Sequence, residues 1–292
     1  MTGEAEIREL RAPHGAPHKP SFEMPKDACD THFHIYEPDI ALKPDRRYTA
    51  VKAGLKNYRL MAGRLGLQRG VVVTGSSMTS NAPSLAAIAA MGGDFKGLAL
   101  IQPDVTDDEL ERLAAGGMTG FRISTRSVGG IGPEHLGDLA KRVAGLGWHV
   151  EIHMRDLEEV VAVLPQLEKL TIPYSIDHIA YLGPDHGPES PEFSRVRDHL
   201  AGAENAYINI YSVYNLTKSG PPAYEDMVAN VGALIEARPD RILWGSNWPH
   251  PTFDVPLPNE GDLLDFIGKA APDPVHLRQI FVDNPARLYG WV

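Results

Sequence analysis

Histidines, arginines and one asparagine at the ends of short β-rich runs are the residues of this chain best placed to do chemistry. The segment Asp30-Thr31-His32-Phe33-His34 spaces two imidazoles at i and i+2, which puts both on one face of a strand. A third, His178, closes the run Ser175-Ile176-Asp177-His178, and a fourth, His153, closes Glu151-Ile152-His153. Imidazoles so grouped can hydrogen-bond a carbonyl oxygen as negative charge builds on it, hold a divalent ion, or move a proton near neutral pH. The His32/His34 pair reads as functional, because two imidazoles on one inward face make a poor packing choice. His153 taken alone reads first as a hydrogen-bonded structural residue. His250, bracketed by Pro249 and Pro251, suits either ligand contact or support of its turn.

Arg122 and Arg126 lie at the end of Thr119–Ser124 and just beyond it. A guanidinium matches a carboxylate with two parallel hydrogen bonds, so this pair is a candidate anion site, with surface ion pairs as the alternative. Ser76 and Ser77 offer hydroxyls to a hydroxylated ligand, in a loop that equally suits helix capping before Pro83. Tyr48 follows the first β-rich run, and Tyr211, Tyr214 and Asn215 follow the seventh.

Eight such runs are needed to position these groups: Ala28–Ile35, Gly70–Thr74, Gly97–Ile101, Gly120–Ser124, His149–Met154, Tyr174–Ile179, Tyr207–Tyr211 and Arg241–Asn247. Between them the spacing predicts helices at Leu85–Met91, Asp107–Ala115, Glu134–Leu146, Leu157–Leu167 and Tyr224–Ala237. Asp107 and Asp108 ahead of Leu110 and Leu113 mark a helix start. No glycine-rich phosphate loop follows the first run, which favours a closed (β/α)8 TIM barrel over an open doubly wound sheet. The 292 residues suit one such barrel over residues 26–292, preceded by a Pro- and His-rich arm at residues 1–25. His14 and His18 in that arm read as solvated and not as metal ligands. A formal charge of −10 argues against nucleic acid as a partner. The single Cys29, the charged N-terminus and the lack of any long apolar run predict a cytoplasmic protein that neither binds nor crosses a membrane.

The His-x-His at residues 32–34, His178, the run Trp244-Gly245-Ser246-Asn247-Trp248-Pro249-His250-Pro251 and the closing Asp283-Asn284-Pro285-Ala286-Arg287-Leu288-Tyr289-Gly290 resemble the amidohydrolase superfamily. Within it the chain is most similar to the 2-pyrone-4,6-dicarboxylate lactonase group, from about Pro25 onward. The resemblance implies His32, His34 and His178 as catalytic groups around a lactone carbonyl. It further implies Tyr48, Ser76, Ser77, Arg122, Arg126, His153, Tyr211, Asn247 and His250 as substrate contacts, with no cofactor and no metal. Most of the superfamily carries an aspartate where Asn247 stands, as metal ligand or water-activating base. An amide cannot accept a proton near neutral pH and is a weaker ligand for a dipositive ion. A three-histidine zinc site remains chemically open, with His153 as a substitute base for hydrolysis. The missing base favours intramolecular acyl transfer over hydrolysis, and the resemblance implies as its substrate a sugar-acid lactone, D-galactaro-1,5-lactone converted to the 1,4-lactone, so the expected function is a lactone isomerase. The alternatives are a lactonase and a barrel that only binds a sugar acid.

Overall fold

Residues 7–127 and 129–291 are described by a computed structural model. Eight strands pair in parallel in chain order: β1 (Cys29–Phe33), β2 (Arg69–Val73), β3 (Phe95–Ala99), β4 (Met118–Ser124), β5 (His149–His153), β6 (Tyr174–Ile176), β7 (Ala206–Ile210) and β8 (Ile242–Trp244). Nearly every strand residue is buried, as expected where helices cover the outer face and side chains fill the inner one. The ring closes just past β8, where the backbone N–H of Asn247 donates to the His32 carbonyl and that of His34 to the Trp248 carbonyl, both at 2.8 Å. Gly245 permits this approach, since a Cβ there would lie 2.6 Å from the His32 Cβ. The buried Asp30 carboxylate then latches the seam, accepting from the Ser246 N–H at 2.8 Å, the Ser246 hydroxyl at 2.6 Å and Tyr58 at 3.2 Å. The result is a (β/α)8 barrel.

Helices α1 (Leu55–Leu65), α2 (Ala82–Met91), α3 (Asp107–Ala115), α4 (Leu136–Val143), α5 (Leu157–Leu167), α6 (Pro191–Gly202) and α7 (Val228–Ala237) alternate with the strands, and α8 (Glu260–Ala270), α9 (Pro274–Arg278) and α10 (Asn284–Tyr289) complete the chain. The acidic start at Asp107 is as expected, with Thr106 accepting the Glu109 N–H at 3.2 Å. The sequence reading lacked α1, α6 and the three helices after β8. Most strands end a residue or two earlier than expected, and β6 and β8 end earliest relative to expectation, at Ile176 and Trp244, because the residues beyond them turn. His178 and Asn247 have φ of 53° and 54°, a left-handed conformation that breaks a strand.

The N-terminal arm also differs from expectation, for its described part lies on the barrel. Arg8–Glu9 pairs in parallel with Tyr48–Thr49, Arg8 stacks 3.9 Å from the Phe253 ring centre, and Ser21 N–H and His18 Nε2 reach Asp265 at 2.6 and 3.1 Å. His18 thus stays exposed, as expected, while its ring reaches the Asp265 carboxylate of α8. Among the described residues no helix is long and apolar enough to cross a membrane.

Candidate active site

The strands deliver the predicted residues to their C-terminal ends, around an open cavity of about 940 Å³ counting its mouth. His32, His34, Tyr48, Ser76, Ser77, Arg122, Arg126, His153, His178 and Asn247 all line it. Tyr211 is not in the lining but buried behind it, its ring centre 4.3 Å from that of His32 and 4.6 Å from that of His178. His250 departs from expectation. It is turned into the protein, fully buried, with Nε2 2.9 Å from Glu260, so it anchors the loop after β8 to α8 instead of facing a ligand.

Register explains which side chains meet. β4 and β5 align Arg122 opposite Glu151 and Ser124 opposite His153, so two inward pairs stack one above the other. In the lower pair, Arg122 Nε donates to Glu151 at 2.6 Å, and Nη2 contacts Glu151, Asp177 at 3.2 Å and His32 Nε2 at 2.9 Å. His32 Nδ1 in turn lies 3.0 Å from the second Glu151 oxygen. Because Nη2 donates to Nε2, the His32 proton belongs on Nδ1, shared with Glu151. Both ring nitrogens of His32 are therefore engaged by protein, and Arg122 has Nη1 left for the cavity. Glu151 and Asp177 were read in the sequence only as neighbours of His153 and His178. The i, i+2 rule that paired His32 with His34 also pairs Glu151 with His153, and that signal was available.

Electrostatics follow from this buried cluster. Burial opposes ionisation of Glu151, yet the Arg122 guanidinium and His32 outweigh it and hold the carboxyl far below its usual range. Asp177 moves the other way, raised by burial and by the Glu151 charge. Burial disfavours the Arg122 cation, but Glu151 and Asp177 more than compensate and raise it. Above the cluster all the imidazoles are driven neutral. His34 is pushed down to about 3 by burial, with His32 and Arg122 adding, and burial and Arg122 lower His153 and His178 well below the ordinary value.

Neutral imidazoles have distinct faces, and their partners assign them. His34 Nδ1 lies 2.8 Å from the Val73 carbonyl, which can only accept, so the proton is on Nδ1 and a bare Nε2 lone pair faces the cavity. His153 Nδ1 lies 2.9 Å from Ser124 Oγ, which already accepts the Ser127 N–H at 3.0 Å. With the serine hydroxyl donating to Nδ1, one of the two tautomers this contact allows, His153 presents Nε2–H. His178 opens a run of four left-handed residues through Tyr181, with φ between 51° and 58°. Non-glycine residues in that region cost on the order of 1–3 kcal/mol each, and here the turn swings the imidazole beside His153, ring centres 5.0 Å apart. Asn247 is fixed as a donor, its Nδ2 giving hydrogen bonds to Ser212 at 2.7 Å and Tyr214 at 3.0 Å.

The mouth is cationic although the chain is acidic. Lys43, Arg46, Arg47 and Arg126 line it with Asp45 as the one rim carboxylate among the described lining residues. Arg46 is held by Thr49 and the Lys43 carbonyl, both at 3.0 Å, and the exposed Arg126 touches the Arg155 carbonyl at 3.2 Å. The segment bearing Lys43, Arg46 and Arg47 was missed in the sequence, since its place over the cavity depends on tertiary contacts: Lys43 N–H to the Ser77 carbonyl at 2.8 Å and the Leu42–Met78 bridge.

The amidohydrolase family matches residues 29–291. The chain belongs to that family. It is 31% identical to the 2-pyrone-4,6-dicarboxylate hydrolase of Comamonas testosteroni over 94% of this chain and 93% of that one. It is 26% identical to the D-galactarolactone isomerase of Agrobacterium fabrum over 92% and 93%. A crystal structure of an Agrobacterium tumefaciens protein superimposes with a TM-score of 0.83 at 26% identity, covering 93% of this chain and 98% of that one. For an amidohydrolase, the position of Asn247 and the Arg122 cluster are the features that bear on chemistry.

Proposed function

We propose that the chain is a lactone isomerase acting on an acidic, polyhydroxylated lactone, with conversion of D-galactaro-1,5-lactone to the 1,4-lactone as its reaction. The observation that carries this reading is Asn247, whose amide already donates to Ser212 and Tyr214 at the point of the barrel rim where a water-activating carboxylate would stand. Of the imidazoles facing the cavity, His178 is lowered well below its ordinary value and His34, whose Nε2 is bare, is lowered to about 3. Such a weak base activates water poorly. A hydroxyl held on the substrate itself needs less help, because effective molarities for well-aligned intramolecular attack reach about 10^5 M or more.

In this reading the rim cations Lys43, Arg47 and Arg126 hold the free carboxylate, and Ser76, Ser77 and Tyr48 meet the hydroxyls. The lactone carbonyl lies toward His153 Nε2–H and His178, with Arg122 beneath them. The 4-hydroxyl attacks the carbonyl carbon, His34 Nε2 takes its proton, and the tetrahedral oxyanion is stabilised by the imidazole donors and the Arg122 charge. The bond to the former ring oxygen breaks and His34 returns the proton to that oxygen. No atom is gained or lost. His32 orients Glu151 and Arg122 and does not donate to the carbonyl, a change from the sequence expectation that follows from its two engaged nitrogens.

Hydrolysis is the second reading, favoured by the 31% identical hydrolase. Proton NMR of freshly made D-galactaro-1,5-lactone separates the two. The isomerase reading expects the 1,4-lactone to appear faster than in buffer, and accelerated release of open galactarate would replace it with the hydrolase.

A further inference from the structure

We propose that the Arg122 guanidinium is a resident cation seated in a metal-type cage of His32, Glu151 and Asp177, and that a zinc ion takes its place once that side chain is removed. One ligand atom from each of these three buried residues lies within 4.8 Å of the other two. A single nitrogen, Arg122 Nη2, contacts all three: His32 Nε2 at 2.9 Å, Glu151 Oε1, and Asp177 Oδ2 at 3.2 Å. Asp177 is the under-satisfied member. It is completely buried, with the Tyr211 hydroxyl as its one neutral neighbour and no well-formed hydrogen bond, so its main partner is the Nη2 charge at 3.2 Å. A carboxylate buried in that state points to a cation, and here the protein supplies its own.

The donor set is one imidazole nitrogen and two carboxylate oxygens, which zinc accepts at about 2.0–2.2 Å with a fourth position open. The cage is slightly wide for zinc, and rotation of the Asp177 carboxylate, which has no well-formed hydrogen bond to hold it, closes it. The three ligands come from β1, β5 and the end of β6, so the barrel holds them without Arg122. The cage is also separate from the mouth imidazoles His34, His153 and His178, which take no part in it. Two cations cannot share this volume, so zinc is kept out of the cage while the guanidinium fills it. The proposal stands whether the enzyme isomerises or hydrolyses its substrate.

The test uses zinc sulfate with the wild-type chain, Arg122→Ala and Arg122→Ala/Glu151→Gln, reading bound zinc after gel filtration and the melting temperature with and without the ion. The expected result is one zinc per chain in Arg122→Ala, a melting temperature raised by zinc in that variant but not in wild type, and affinity at least about tenfold weaker in the double variant. An Arg122→Ala chain that folds only when zinc is added supports the cage equally. Three results overturn it: a folded Arg122→Ala that takes up no zinc, one that stays unfolded even with zinc, or zinc binding that Glu151→Gln leaves unchanged.

Discussion

Arg122 and Arg126 stand four residues apart and differ in almost everything a guanidinium can do. Arg122 points into the barrel, where Glu151 and Asp177 surround it and only 17% of its side chain is exposed. Arg126 lies past the strand end at the open rim, exposed, touching the Arg155 carbonyl and standing 6.0 Å from the Tyr181 ring centre. The first is part of the fold's buried charge balance and sets the field under the imidazoles. The second has no carboxylate partner among the described residues. Residue type alone assigned both to substrate binding, and depth in the barrel separates them.

The largest expected difference is in stability. Removing one partner of a buried ion pair leaves an uncompensated charge and costs about 3–5 kcal/mol, whereas a rim substitution stays within about 0.5 kcal/mol. Arg122→Ala is therefore expected to lower the urea midpoint steeply in metal-free buffer, while Arg126→Ala leaves it in place and raises KM with little change in kcat. Equal midpoints for the two variants would erase the distinction.

Next comes the mouth, where rate and not stability is at stake. His34→Gln is expected to lower kcat by about 10^2, the low end of what a positioned general base contributes because the imidazole is a weak base, with the circular dichroism spectrum unchanged. Wild-type kcat in that variant would move the proton-transfer role to His153 or His178.

A further effect, spread over several pH units, links the two regions through pH. His34 is lowered from its ordinary 6.5 to about 3, by burial and then by His32 and Arg122. The folded chain thus keeps it neutral while the unfolded chain takes up a proton. Its contribution to stability is full above about pH 6.5 and is lost as the pH falls toward 3. Thermal melts between those values should show a shallower decline for His34→Gln than for wild type, and parallel curves would show that His34 titrates normally.

Much of this arrangement was legible in the sequence because barrel strands carry a local signal. Short β-branched runs gave the strand count, and i, i+2 spacing placed His32 with His34. The Asp107 start and the Asn247 departure needed no tertiary information. What escaped depended on register and backbone conformation. The Arg122–Glu151 pair exists because β4 and β5 align those two residues, and a shift of one would turn Glu151 outward. The left-handed run from His178 to Tyr181 has no glycine to announce it. His250 faces inward because Glu260, ten residues on, captures it, which a reading of the turn alone could not reveal. The arm read as solvated has its partners on α8 and in the loops around the mouth.

The central claim is that the lactone's own hydroxyl, and not water, attacks its carbonyl above the Arg122 cluster. Turnover in oxygen-18 water with mass spectrometry of the product tests it directly. Acyl transfer within the substrate predicts a lactone carrying no heavy oxygen beyond the buffer control, whereas one oxygen-18 atom in a newly formed carboxylate would show that water is the nucleophile and contradict it.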